Sequence, residues 1–146
     1  MDYKVLSEQL KRHEGLRLKP YLDTVGETSI GFGRNLSDMG ITEAEAKFLL
    51  DNDIMSSFAD VVAVIGKDVF EGLSEVRQGV LVNMIFNLGM PRFRTFKKMI
   101  AAIKADDPEE AAVQMQDSRW FNQVGGRGIE LVWQFRNNRF GDFALS

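Results

Sequence analysis

The stretch that decides the fold is residues 14–33, which read EGLRLKPYLDTVGETSIGFG. Apolar residues precede it at helical spacing, and the glycine after Glu14 lies where a helix would leave its right-handed path. Downstream, leucines alternate with polar residues, Gly26 supplies a turn, and residues 28–32 return as a second strand. The pattern predicts a helix that ends at Glu14 and a β-hairpin that carries Asp23 near its bend.

Beyond the hairpin, the sequence is typical of helices. Residues 42–45, TEAE, form a capping box that opens a long helix. Ser74 caps another helix, whose apolar residues fall on several faces, so we expect it to be central and buried. Asp107 precedes a proline, as at a helix start. Lys97, Lys98 and Lys104 are interpreted as charges on solvated helix faces.

These elements predict an α+β fold in a single domain, residues 1–146. A small β-hairpin lobe covers residues 15–40, and the long helix joins it to a larger helical lobe made of residues 1–14 and 41–146. A substrate cleft is expected between the two lobes.

Composition excludes several kinds of chemistry. The chain has no cysteine and a single histidine, so it has no disulfide, no thiolate nucleophile and no histidine cluster for zinc or a serine triad. We therefore expect no cofactor and no metal. The net charge of −3 argues against duplex nucleic acid as a partner. Residues 1–10 contain charges and no apolar run, so we expect neither a signal peptide nor a membrane-inserted segment.

Glu14 and Asp23 are candidate partners in acid/base chemistry. Cleavage of a glycosidic bond needs one carboxyl group that keeps its proton and another that stays ionised. At the edge of the helical core, Glu14 is expected to be less solvated than Asp23 in its loop, which suggests Glu14 as acid and Asp23 as base. The signal is weak by itself, because 21 acidic residues offer many pairs.

The hairpin resembles the active-site hairpin of phage-type lysozymes, the endolysins of glycoside hydrolase family 24, and most closely the T-even phage branch. The matching residues are Glu14, Tyr21, Asp23, Gly26, Ser29, Ile30, Gly31 and Gly33. Residues 83–89, NMIFNLG, resemble the central buried helix of the family, and residues 118–123, SRWFNQ, resemble its loop before the last helix. The resemblance spans nearly the whole chain and implies a lysozyme-like fold.

The resemblance also implies roles for individual residues. Glu14 would be the general acid, and Asp23 would hold or activate the attacking water. Ser29 replaces the usual threonine but keeps its hydroxyl for that water. Arg127 matches the arginine that pairs with the catalytic glutamate, and Asn83 matches the buried amide that holds this arginine.

Further positions are expected to bind substrate or support the site: Tyr21, Gly33, Arg34 and Asn87. In the resembled branch a histidine stands at the position of Arg34 and pairs with an aspartate that matches Asp53, so an Arg34–Asp53 ion pair is expected. Other interpretations stay open. Asn83 could be an ordinary satisfied amide, Gly33 a close-packed strand residue, and Trp120 is taken as a core anchor.

The function that follows from the resemblance is that of an endolysin. It would hydrolyse the β-1,4 bond between N-acetylmuramic acid and N-acetylglucosamine in bacterial peptidoglycan. Two alternatives stay open: a lytic transglycosylase, a class that tends to lack the second carboxylate, and a catalytically dead wall-binding module. We expect inversion at the anomeric carbon, a monomer without stable membrane insertion, and accumulation in the host cytoplasm with an external route to the wall, such as a holin.

Overall fold

The structure is a computed structural model that describes residues 1–143. Three short strands form one sheet: β1 (Arg17–Leu22), β2 (Thr28–Gly31) and β3 (Arg34–Asn35). The helices that precede and follow it are α1 (Tyr3–Glu14), α2 (Leu36–Met39), α3 (Glu43–Ile65), α4 (Lys67–Gly72), α5 (Glu75–Leu88), α6 (Met90–Phe93), α7 (Lys97–Lys104), α8 (Pro108–Gln116), α9 (Arg119–Val124) and α10 (Gly126–Asn137). This mostly helical chain with a small antiparallel sheet confirms the α+β, lysozyme-like fold class.

The chain divides into two compact units, Met1–Leu49 and Leu50–Ser146, and the division falls within α3. The assignment of residues 1–14 to a helical lobe, within a single domain of residues 1–146, stays a prediction. No helix among the described residues is both long enough and apolar enough to cross a membrane.

In the first unit, α1 ends where the sequence predicts. The side chain of Asp2 accepts a hydrogen bond from the backbone N–H of Val5 and caps the start of the helix. At the other end, Gly15 has φ +71° and donates its N–H to the carbonyl of Lys11. A positive φ is a conformation that glycine adopts at little cost, so the helix terminates directly after Glu14.

The sheet is antiparallel in the order β1-β2-β3, and a bulge in β1 shifts the register between Arg17 and Tyr21. The second strand ends at Gly31, with φ +70°, one residue earlier than expected. The third strand and α2 were not expected from the sequence. Asn35 accepts a hydrogen bond from the N–H of Asp38 and caps α2, so this short connection holds more structure than a loop.

The capping box at the start of α3 is confirmed. The Thr42 hydroxyl accepts a hydrogen bond from the N–H of Glu45 at 3.1 Å and donates one to its carboxylate at the same distance. The Thr42 side chain therefore satisfies one backbone N–H at the start of the helix, and the Glu45 carboxylate binds the same hydroxyl.

The second unit holds the hydrophobic core. The central helix is α5, as predicted, and its buried residues are Val80, Leu81, Met84, Ile85 and Leu88. Helix α10 packs against α5, α8 and α9, and α7 packs against α8. Ser74 caps α5 by accepting from the N–H of Arg77, and its hydroxyl also donates to the side chain of Asn138, the residue that ends α10.

Candidate active site

Glu14 is the last residue of α1, and its carboxylate lies beside Gly33. A Cβ placed on Gly33 would stand 2.8 Å from Oε2 of Glu14 and 3.2 Å from its Cδ. The backbone of Gly33 has φ +79°. The Glu14 carboxylate therefore occupies the space that a side chain at position 33 would need. The contact joins two residues that the sequence singles out separately.

Asp23 is held by backbone amides of its own turn. Its Oδ1 accepts hydrogen bonds from the N–H of Val25 at 3.0 Å and from the N–H of Glu27 at 2.9 Å. The backbone N–H of Asp23 in turn donates to the carbonyl of Glu27 at 2.9 Å. Such a turn fixes the carboxylate through the main chain. Both side-chain hydrogen bonds end on Oδ1, so Oδ2 faces no donor among the described residues.

The solvation of the two carboxylates differs from the expectation. Glu14 is exposed, whereas Asp23 is half-buried. The expectation that Glu14 is the less solvated of the two is wrong for the described residues. The difference in their surroundings comes instead from contacts, because Asp23 is bound by two amides and Glu14 adjoins a bare α-carbon.

Ser29 and Tyr21 face each other across the sheet. They are register partners in β1 and β2, and Ser29 is only 3% exposed. Asp23 and Glu27 continue this ladder through their backbone hydrogen bond. Because side chains alternate along a strand, positions 21, 23 and 29 share one face of the hairpin. The guanidinium of Arg17 stacks over the Tyr21 ring at 4.6 Å.

Arg34 pairs with Glu45, so the expected pairing with Asp53 is wrong. Its Nη1 donates to Oε2 of Glu45 at 3.0 Å and its Nη2 donates to Oε1 at 3.1 Å. Nη1 also donates to the carbonyl of Gly40 at 3.1 Å. The hydrogen bond from Arg34 holds the pKa of Glu45 below its ordinary value of 4.5, desolvation opposes this shift, and the bond from Thr42 adds to it.

The remaining site candidates lie in the second unit. Arg127 donates its Nε–H to Oδ1 of Asn83 at 2.9 Å, which confirms the expected contact between them. Asn83 is exposed, however, and is not the buried amide that was expected. Asn87 accepts a hydrogen bond from the indole N–H of Trp120 at 2.9 Å. Trp120 is 3% exposed, which confirms its interpretation as a core anchor.

Sequence reasoning missed Glu45 and the two amides that bind Asp23. Glu45 was recognised only as the last residue of a capping box, which is a local role. The spacing Asp23-x-Val25 is the signal for the turn, since aspartate side chains often accept from an N–H two residues later. Nothing in the sequence indicates that Gly33 lies against Glu14.

Comparison with known proteins gives one family, phage lysozyme, which matches residues 11–138. Among similar proteins, the probable T4-type lysozyme 1 of Dictyostelium discoideum is 25% identical, over 87% of this chain and 91% of its own length. The SAR-endolysin of Bacteriophage PS119 is 31% identical, over 78% of this chain and 66% of its own.

A third relative is much longer than this chain. The pre-baseplate central spike protein Gp5 of Enterobacteria phage T4 is 31% identical over 87% of this chain, but the match covers 27% of the spike protein. The chain therefore spans about a quarter of that relative.

Proposed function

The chain belongs to the phage lysozyme family, and we propose that Glu14 and Asp23 are the two carboxylates with which it cleaves peptidoglycan. As a lysozyme it is a glycoside hydrolase, and its substrate is the peptidoglycan of the bacterial cell wall. The bond proposed to break is the β-1,4 bond between N-acetylmuramic acid and N-acetylglucosamine.

In this proposal, Glu14 is the general acid. It donates a proton to the oxygen of the leaving sugar as the glycosidic bond breaks. Its contact with Gly33 supports this role. A glycine without Cβ leaves room for the carboxylate at one defined place, and a general acid must lie within hydrogen-bond reach of the oxygen that it protonates.

Asp23 is the base that holds and activates the attacking water. The observation that carries this role is the pair of hydrogen bonds that Oδ1 accepts from backbone amides. They fix the carboxylate and leave Oδ2 for a water. Ser29 lies on the same face of the hairpin, diagonal to Asp23, at a position about 7–8 Å away across the ladder. A water between the two side chains would accept from the Ser29 hydroxyl and donate to Asp23.

Direct attack of this water on the sugar inverts the configuration at the anomeric carbon. It needs about 6.5–9.5 Å between the two carboxyl groups, whereas a covalent glycosyl-enzyme needs roughly 5–5.5 Å. Proton NMR of the first products should therefore show the α-anomer. Early appearance of the β-anomer would overturn the water-holding role of Asp23.

The roles are tested with two isosteric variants, Glu14→Gln and Asp23→Asn, and with Glu8→Gln as the matched control on the same helix. Both site variants should stop the clearing of purified walls, while the control should clear them at the native rate. Near-native clearing by Glu14→Gln would refute its role as acid. Equal thermal unfolding of all three variants separates loss of chemistry from loss of fold.

Product analysis decides between the hydrolase and the two alternative functions. Mass spectrometry of digested peptidoglycan should give reducing muramic acid ends. Ends with a 1,6-anhydro ring would instead identify a lytic transglycosylase. The absence of any product from the native protein would identify a wall-binding module without activity.

The route to the wall is also part of the proposal. We infer that the chain acts as a monomer and reaches the wall through an external route such as a holin. Expression in bacteria should cause lysis only when a holin is co-expressed or the membrane is permeabilised. Lysis by the chain alone would contradict the external route.

A further inference from the structure

Charge is distributed unevenly along the chain. Between Glu75 and Asp106 there are six Lys and Arg residues and no acid, whereas the rest of the chain has 12 Lys and Arg against 21 Asp and Glu. One of the six, Arg77, donates to the carbonyl of Phe135. The other five belong to α6, α7 and the turn between them. An acidic protein thus carries one compact basic segment.

Two open cavities flank α7, and cations line both of them. The first cavity is about 600 Å³, and its charged lining residues are Arg92, Lys97, Lys98, Asp117 and Arg119. The second is about 550 Å³, and its charged lining residues are Arg94, Lys97 and Lys104. Because Lys97 lines both cavities, the cations form one continuous surface. We call it the basic track: Arg92, Arg94, Lys97, Lys98, Lys104 and Arg119.

The basic track is not neutralised by the described residues. All six side chains belong to exposed residues, and none of them forms an ion pair within the described part of the chain. Three of the acids that follow α7 are engaged elsewhere. Asp107 caps α8, Glu109 binds Arg136, and Glu110 accepts from Gln114.

Local folding does not explain these cations either. Lys97 and Lys98 occupy the first turn of α7, which contains no acidic residue. A cation there faces the positive end of the helix dipole, so it disfavours the helix. The positions are therefore better explained by an external anion than by the stability of α7.

We propose that the basic track is a docking surface for a linear, phosphate-bearing polymer of the bacterial cell wall. The cations extend along the whole of α7, about 12 Å at 1.5 Å per residue, and beyond its first turn into both cavities. A polymer with an anion in each repeat can contact several of these cations at once, whereas one isolated carboxylate would neutralise only one or two of them. Guanidinium and ammonium groups both bind phosphate well.

Docking would hold the enzyme on its insoluble substrate between cleavage events. It adds to the proposed hydrolysis and does not depend on the roles of Glu14 and Asp23. Duplex nucleic acid is another polyanion, and its binding is one of the outcomes that the test measures.

The test compares two triple variants in the Glu14→Gln background, which is used so that the walls stay intact. The first, Arg94→Gln/Lys97→Gln/Lys104→Gln, disrupts the basic track. The second, Lys4→Gln/Arg12→Gln/Lys67→Gln, removes the same charge elsewhere and is the matched control. Co-sedimentation in the cold measures binding to walls that retain their phosphodiester polymers and to the same walls after hydrofluoric acid removes them.

The parent and the control should bind the untreated walls at least about tenfold more tightly than the treated walls, with a strong dependence on salt. The track variant should lose this preference but cleave soluble glycan fragments at the native rate when Glu14 is restored. Linear polyphosphate should compete better than polyglutamate of equal charge. Equal binding to both wall preparations, equal losses in the two triple variants, or tighter binding to duplex DNA would overturn the proposal.

Discussion

Gly33→Ala should strongly slow the enzyme and leave it folded, because the new Cβ would take the space of the Glu14 carboxylate. It would stand 2.8 Å from Oε2, and ordinary contact begins near 3.4 Å, so the carboxylate must retreat by roughly 0.6 Å or more. The carboxylate is the far end of a flexible side chain and moves more easily than the backbone. Since a misplacement of about 1 Å can cost about 10²-fold in rate, we expect wall clearing to slow by roughly 30–100-fold.

Gly31→Ala is the matched control for backbone strain. Gly31 has φ +70°, close to the +79° of Gly33, but its Cβ would meet nothing within 4 Å. Alanine in the left-handed region costs about 1–2 kcal/mol, so both variants should lose about this much stability. Only Gly33→Ala should also lose activity.

The assay is the initial clearing rate of purified walls, measured well below the unfolding temperature of both variants. Chemical denaturation supplies the free energies of unfolding. Equal activities in Gly31→Ala and Gly33→Ala would refute the reasoning, because strain alone would then account for the effect. So would native activity in Gly33→Ala.

Three further predictions concern contacts other than that between Glu14 and Gly33. The hydrogen bond from Arg34 lowers the pKa of Glu45, so the stability that Glu45 contributes should be present above its unfolded pKa and lost as the pH falls through its folded pKa. A stability difference between the native protein and Glu45→Gln that does not change with pH would contradict this. A double-mutant cycle of Asn83→Ala and Arg127→Ala should give a coupling of about 0.5–1.5 kcal/mol, and strict additivity would show that their hydrogen bond contributes nothing. Trp120→Phe removes a buried indole N–H donor and some volume, so denaturation should show a loss of about 1–3 kcal/mol, and a change within error would exclude the anchor role.

Local signals in the sequence predicted much of the fold. The glycine after Glu14, the capping box at Thr42 and the serine and aspartate caps at Ser74 and Asp107 each act within a few residues. Such contacts depend on short spacings that can be read directly from the chain. The third strand was missed because two residues are too few for any periodicity.

The site was less accessible to sequence reasoning, because it depends on contacts between distant residues. Glu14 and Gly33 meet only because the bulged hairpin returns the chain to the end of α1. Arg34 could reach more than one acid, and the folded connection through α2 brings it to Glu45. The resemblance to the family named the carboxylates, but the amides that bind Asp23 became visible only with the turn.

The hydroxyl of Ser74 joins the start of α5 to the end of α10, since it accepts from the N–H of Arg77 and donates to the side chain of Asn138. These helix ends are 64 residues apart in the chain. Fraying of either end breaks the hydrogen bond between them, so we expect the two ends to open as one cooperative unit. Native-state hydrogen exchange would then give the amides of Arg77 and Asn138 the same opening free energy, although each belongs to a different helix.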